Sequence, residues 1–146
     1  MFSYSTTNMY WDLGVAVSTA TNTIGSTNSI NLSTFHRLEG LKKYYNTDFT
    51  IALIHFEELN SHQKELILYE YVDSYNLLGD HNRAIEILDA YNCKSDNLLY
   101  LKSQIFIALD NYDEALLILE ALKINFPSSD YLEIIKFDLE KINLLK

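Results

Sequence analysis

Proline occurs once in this chain of 146 residues, cysteine once and glycine four times. The single proline, Pro127, lets only one helical segment end on that residue. The single thiol, Cys93, excludes an intramolecular disulfide framework, so a reducing, cytoplasmic setting is expected. No glycine-rich phosphate loop and no nucleophile elbow is spelled. Basic residues are also scarce: 11 Lys and Arg stand against 20 Asp and Glu, a formal net charge of -9. That excess repels phosphate backbones and anionic lipid unless cations cluster locally. The nearest approach to a cluster, Arg37 with Lys42 and Lys43, reads as the solvated face of one helix, so nucleic acid is not an expected partner. No Lys or Arg precedes Arg37, and the apolar run Leu13 to Val17 is too short for a signal core or a membrane span. Neither export nor direct membrane insertion is expected.

Chemistry-bearing residues are equally dispersed. His36, His55, His62 and His81 show no zinc-type spacing, and Cys93 has no obvious base beside it. His55 and Glu58 are one helical turn apart, a pair that marks a surface contact far more often than a metal site. No catalytic residue, metal ligand or cofactor is therefore expected. A metal-dependent enzyme built on the His55 to His62 region stands as the rival reading from another class.

What the chain does have is an apolar fraction of 48%, enough for a real core, distributed in two unlike parts. Residues 1–32 are rich in Ser, Thr and Asn, with Asp12 their only charge. This leader reads either as flexible or as docked on a partner, because Phe2, Tyr4, Tyr10, Trp11 and their apolar neighbours are costly to leave in water. If it docks, Tyr10 and Trp11 are the expected anchors, and self-association through the leader is one form this takes.

Residues 33–146 carry helical periodicity. Phe35–Tyr45 and Phe49–Leu59 form one pair, Lys64–Leu78 and Asn82–Tyr91 a second, and Asn97–Leu109 and Tyr112–Ile124 a third. A final amphipathic segment, opened by Ser129 and Asp130, makes about seven helices, an all-α chain. Gly79 is placed to end a helix in the left-handed conformation. Asn111 is placed to cap the next helix with Glu114 three residues on, and Asp48 and Asp80 to cap theirs. Aligned on Ala52, Ala84 and Ala115, the pairs repeat with steps of 32 and 31 residues. Small residues at such points let two helix backbones approach. Gly40, Val72 and Ser103 stand twelve residues before each alanine, and Phe56, Leu88 and Leu119 four residues after.

This pattern resembles the tetratricopeptide repeat family. The third unit carries it most fully, with Leu99, Ser103, Phe106, Tyr112, Ala115, Leu119, Leu122 and Pro127 at signature positions. The second has Leu68, Tyr71, Tyr75, Gly79, Ala84, Leu88 and Tyr91. The first has Gly40, Tyr44, Ala52, Phe56 and Leu59, with His36 where a large aromatic is common. The resemblance implies a right-handed solenoid of helical hairpins, closed by the last helix through Tyr131, Leu132, Ile135, Leu139, Ile142 and Leu145. It also implies a concave groove lined by the first helices. Its expected positions are Thr34, Arg37, Leu41 and Tyr44, then Leu66, Tyr69, Asp73 and Asn76, then Asn97, Tyr100, Gln104 and Ile107. A carboxylate clamp of the family's kind is missing, since only Arg37 keeps a positive charge and Glu70 opposes an acidic peptide. The expected function is that of a non-catalytic adaptor, chaperone or assembly factor holding a protein or peptide segment in the groove. The alternative is a structural subunit of a large assembly that contacts neighbours through its leader.

Overall fold

The computed structural model describes residues 24–92 and 94–146, with side chains from Leu32 onward. The expected anchors Tyr10 and Trp11, the rest of the leader up to residue 23, and Cys93 lie outside the described residues. Within them the chain is all helical: α1 Ile24–Tyr45, α2 Phe49–Glu57, α3 Ser61–Glu65, α4 Leu68–Leu77, α5 His81–Tyr91, α6 Asp96–Ala108, α7 Tyr112–Asn125 and α8 Leu132–Leu145. The described residues divide into two compact units, one up to Leu68 and one from Tyr69.

Three turns between helices show why the sequence repeats. Thr47, Gly79 and Asp110 take positive φ values of 62°, 87° and 58°, and they stand 32 and 31 residues apart, in step with the buried alanines. In each turn the next residue, Asp48, Asp80 or Asn111, donates its amide to the carbonyl five residues back, at 2.8, 2.9 and 2.8 Å. That is the closure of a helix C-terminus in which one left-handed residue reverses the chain. Gly79 adopts it without penalty, whereas a β-branched residue such as Thr47 is strained there. The residue after each turn starts the following helix. Asp80 accepts from the Arg83 amide at 3.2 Å and Asn111 from the Glu114 amide at 3.5 Å, as expected. Asp48 makes no side-chain cap and lies 3.9 Å from Lys43 Nζ instead.

In the first unit α1 packs along α2. Ala52 and Phe56 are fully buried, and Gly40 is buried at the crossing. A β-carbon on Gly40 would fall 2.6 Å from Phe56 Cδ1 and closer still to Cε1, so the phenyl ring occupies the space that the missing side chain leaves. α1 starts at Ile24, inside the segment read as leader, so the boundary expected after residue 32 falls within a helix. Lys42 and Lys43 in its last turn complement the helix dipole.

A single helix expected over Lys64–Leu78 is divided. Asn60 accepts from the Gln63 amide at 3.0 Å and starts the short α3. Residues 66 and 67 form a turn before α4. The turn buries both Ile67 and Leu68 while leaving Leu66 in solvent. This is why eight helices are described in place of about seven.

In the second unit Val72, Ala84, Ser103, Ala115 and Leu119 are all fully buried, and Leu88 nearly so. α7 ends at Asn125, two residues before Pro127, with Phe126 outside the helical region (φ -130°, ψ 65°), in keeping with the bias of a pre-proline residue away from the helix. α8 then packs against α7, burying Ile135 and Ile142 against Ala115, Leu119 and Leu122. Ile135 stands one repeat step beyond Ser103, so α8 occupies the place of a further first helix. It begins at Leu132, later than Ser129 and Asp130 suggested. Ser129 is held elsewhere, its hydroxyl donating to Asp96 Oδ2 at 2.6 Å and accepting from the Tyr131 amide at 3.2 Å.

Candidate functional site

The groove positions of the first unit lie on α1. Arg37 Nε donates to Gln63 Oε1 at 3.0 Å, which ties α1 to α3. Leu41 is half-buried. Tyr44 packs edge-on against Phe49 and Tyr45, with ring centroids 5.7 and 5.0 Å away.

In the second unit Tyr69, Asp73 and Asn76 follow one another along α4, all half-buried. Asn76 Nδ2 donates to Asp73 Oδ1 at 3.3 Å, and its oxygen lies 3.0 Å from His81 Nδ1. That arrangement fixes the amide, with its oxygen toward α5. Asn97 turns toward its own helix start: its Oδ1 accepts from Ser95 Oγ at 2.7 Å and from the Leu98 amide at 2.8 Å. Ile107 packs against the core between α7 and α8.

Tyr100 and Gln104 are brought together by a residue that the sequence did not single out. The Tyr100 hydroxyl donates to Asp138 Oδ2 at 2.8 Å, and Gln104 Nε2 donates to the same oxygen at 2.9 Å. Asp138, on α8, is 9% exposed. Tyr131 stacks on the Tyr100 ring with centroids 4.7 Å apart. Burial, then the hydrogen bond and charge of Asp138, hold the Tyr100 hydroxyl well above the usual tyrosine range, with Tyr131 and Tyr69 adding to the effect. Thus α8 already supplies a carboxylate to two of the four third-unit groove positions. No local signal reveals this, because Asp138 lies 38 and 34 residues from its partners. Asp138 is also the one charged residue among those α8 buries.

His55 faces His36, and among the described residues no group of three or more His, Cys, Asp or Glu is placed to hold a metal ion. Burial and the neighbouring His36 lower the His55 pKa, with Lys43 adding and with Glu39 and Glu58 opposing. Among the described residues no helix is long and apolar enough to cross a membrane.

No curated protein matches the chain, and no solved structure does. Residues 44–122, from the end of α1 into α7 and more than half of the chain, match the family model described as anaphase-promoting complex, cyclosome, subunit 3. The chain therefore belongs to that family, one of tetratricopeptide-type repeats, which generally bind protein partners and are typically non-catalytic.

Proposed function

We propose that this chain is a non-catalytic protein-interaction module, an adaptor, chaperone or assembly factor that holds a segment of a partner against the first helices of its repeats. The observation that carries the reading is the threefold recurrence of one hairpin, with its left-handed turn at Thr47, Gly79 and Asp110, in a family of protein-binding repeats. Under this reading the half-buried Tyr69, Asp73 and Asn76, in line along α4, are the positions that meet the partner. There a tyrosine ring offers a side-chain contact, and the acid and amide offer main-chain hydrogen bonds.

The test is capture of the native partner by affinity purification, identified by mass spectrometry, then repeated with Tyr69→Ala and Asp73→Ala. Each variant is expected to lower capture roughly tenfold or more, the loss of one well-placed contact of about 1.4 kcal/mol or above, with thermal melting held close to the parent's. Undiminished capture by both variants contradicts a groove centred on α4.

The family description, that of a subunit of a complex, favours a second reading, a structural subunit of a large assembly, for which the leader, residues 1–32, is the proposed contact with neighbouring subunits. Deleting those residues separates the two. Partner capture persists under the groove reading, whereas incorporation into the assembly fails under the other.

A further inference from the structure

His36 on α1 and His55 on α2 bring their Nδ1 atoms within 3.0 Å, across 19 residues of sequence. Their ring centroids are 5.3 Å apart and the planes are tilted by 46°. Phe35 lies edge-on to both rings, at 5.5 and 6.0 Å, and walls one side of the pair. At this separation one Nδ1 must donate the proton that the other accepts, since two donors or two bare acceptors repel. An ion that accepts both lone pairs removes that constraint.

The distance suits such an ion. Metal–imidazole bonds of about 2.0–2.1 Å span roughly 2.9 Å between nitrogens at a right angle and roughly 3.3 Å at the tetrahedral angle. The observed 3.0 Å falls between them. We propose that His36 and His55 form a two-nitrogen site for one borderline divalent transition ion, Zn2+, Ni2+ or Cu2+, linking α1 to α2.

Two features of the surroundings agree. A cleft of about 200 Å³, lined by Leu32, Ser33, His36, Glu58 and Asn60, opens beside His36. It has room for the ion's remaining water ligands. In that cleft Ser33 Oγ is buried with no hydrogen-bond partner, which a metal-bound water would supply. With no third protein ligand in place among the described residues, water completes the coordination. The affinity is then that of a two-histidine chelate, below that of a closed structural zinc site, with Cu2+ bound more tightly than Ni2+ or Zn2+. Imidazole pairs suit these ions, whereas Mg2+ and Ca2+ prefer oxygen ligands and are not bound.

The test is calorimetric titration of NiCl2, and separately of ZnCl2, into the full, tag-free chain at a pH above the ordinary histidine range. One ion per chain is expected, with a rise in melting temperature because the ion binds only the folded hairpin. His36→Gln and His55→Gln are each expected to weaken binding roughly tenfold or more, while His62→Gln and His81→Gln leave it unchanged. If a variant folds poorly, imidazole 15N shifts of the unaltered chain serve in its place, with His36 and His55 moving on addition of Zn2+ and His62 and His81 not. Absence of binding overturns the proposal. So does binding that survives both the His36 and His55 variants, or 15N shifts that move at His62 or His81 instead.

Discussion

Replacing Gly40 with alanine is expected to destabilise the first unit by about 1–2 kcal/mol, read as a lower midpoint in urea. Overpacking a filled site costs about 1–3 kcal/mol, and alanine recovers up to about 1 kcal/mol through its better helix propensity. Clash wins here because the obstacle is a fully buried aromatic ring: Phe56 Cδ1 would lie 2.6 Å from the new β-carbon. The other two units show how the conflict is resolved. There Val72 and Ser103, which do carry a β-carbon, correspond to Gly40, and Leu88 and Leu119 correspond to Phe56. Phe56→Leu alone should cost about 1–2 kcal/mol through the cavity it leaves. In the double variant the added methyl takes up part of that cavity. The pair should be less destabilised than the sum of the single changes by about 1 kcal/mol or more. Strict additivity would mean that Gly40 and Phe56 do not share one packing site.

The second large effect is expected at the contact between α6 and α8. Asp138→Ala removes the one oxygen that accepts from both Tyr100 and Gln104. Hydrogen bonds to a charged group are worth about 1.5–3 kcal/mol each when buried. Both donors are half-buried and regain some water, so a loss of about 2 kcal/mol is expected for the pair. Asp138→Asn should lose less than half as much, because both bonds converge on a single atom and an amide oxygen can accept them. The raised pKa of Tyr100 supplies a pH check. A hydroxyl held neutral in the fold contributes stability that is fully present below the ordinary tyrosine pKa and is lost as pH rises beyond it. Chemical denaturation at increasing alkaline pH should therefore weaken the parent more steeply than Tyr100→Phe. Equal stability of Asp138→Ala and the parent would mean that α8 is held by its apolar residues alone.

The repeat was legible in the sequence because its determinants are local. A small residue at 52, 84 and 115, the left-handed Gly79 and the caps at Asp80 and Asn111 are set by neighbours a few positions away and appear as expected, whereas Asp48 makes no side-chain cap and the left-handed Thr47 and Asp110 carry no glycine to announce them. Where local periodicity carries no break signal the reading was less complete: Leu66, Ile67 and Leu68 continue an apolar run across the turn that separates α3 from α4. The start of α1 at Ile24 was hidden by Ser, Thr and Asn residues, whose weak helix propensity is a poor guide once a helix packs.

The site residues were harder still. Alignment places Tyr100 and Gln104 in the groove, but the carboxylate that engages them comes from 38 and 34 residues downstream. His36 looked like a departure from the aromatic expected there, and His55 was grouped with Glu58 by spacing. Their approach to 3.0 Å depends on how α1 crosses α2, which no one-dimensional spacing encodes.

The central claim is that one hairpin is built three times, each with a single left-handed residue at the same point. Backbone couplings and carbon chemical shifts measured by NMR on the isotope-labelled chain test it most directly. The expected result is a positive φ at Thr47, Gly79 and Asp110 alike, near the 62°, 87° and 58° of the structure, with right-handed helical values in α1, α4 and α6 before them. A negative φ at Thr47 or Asp110 would contradict it, since that turn could not then share the closure seen at Gly79.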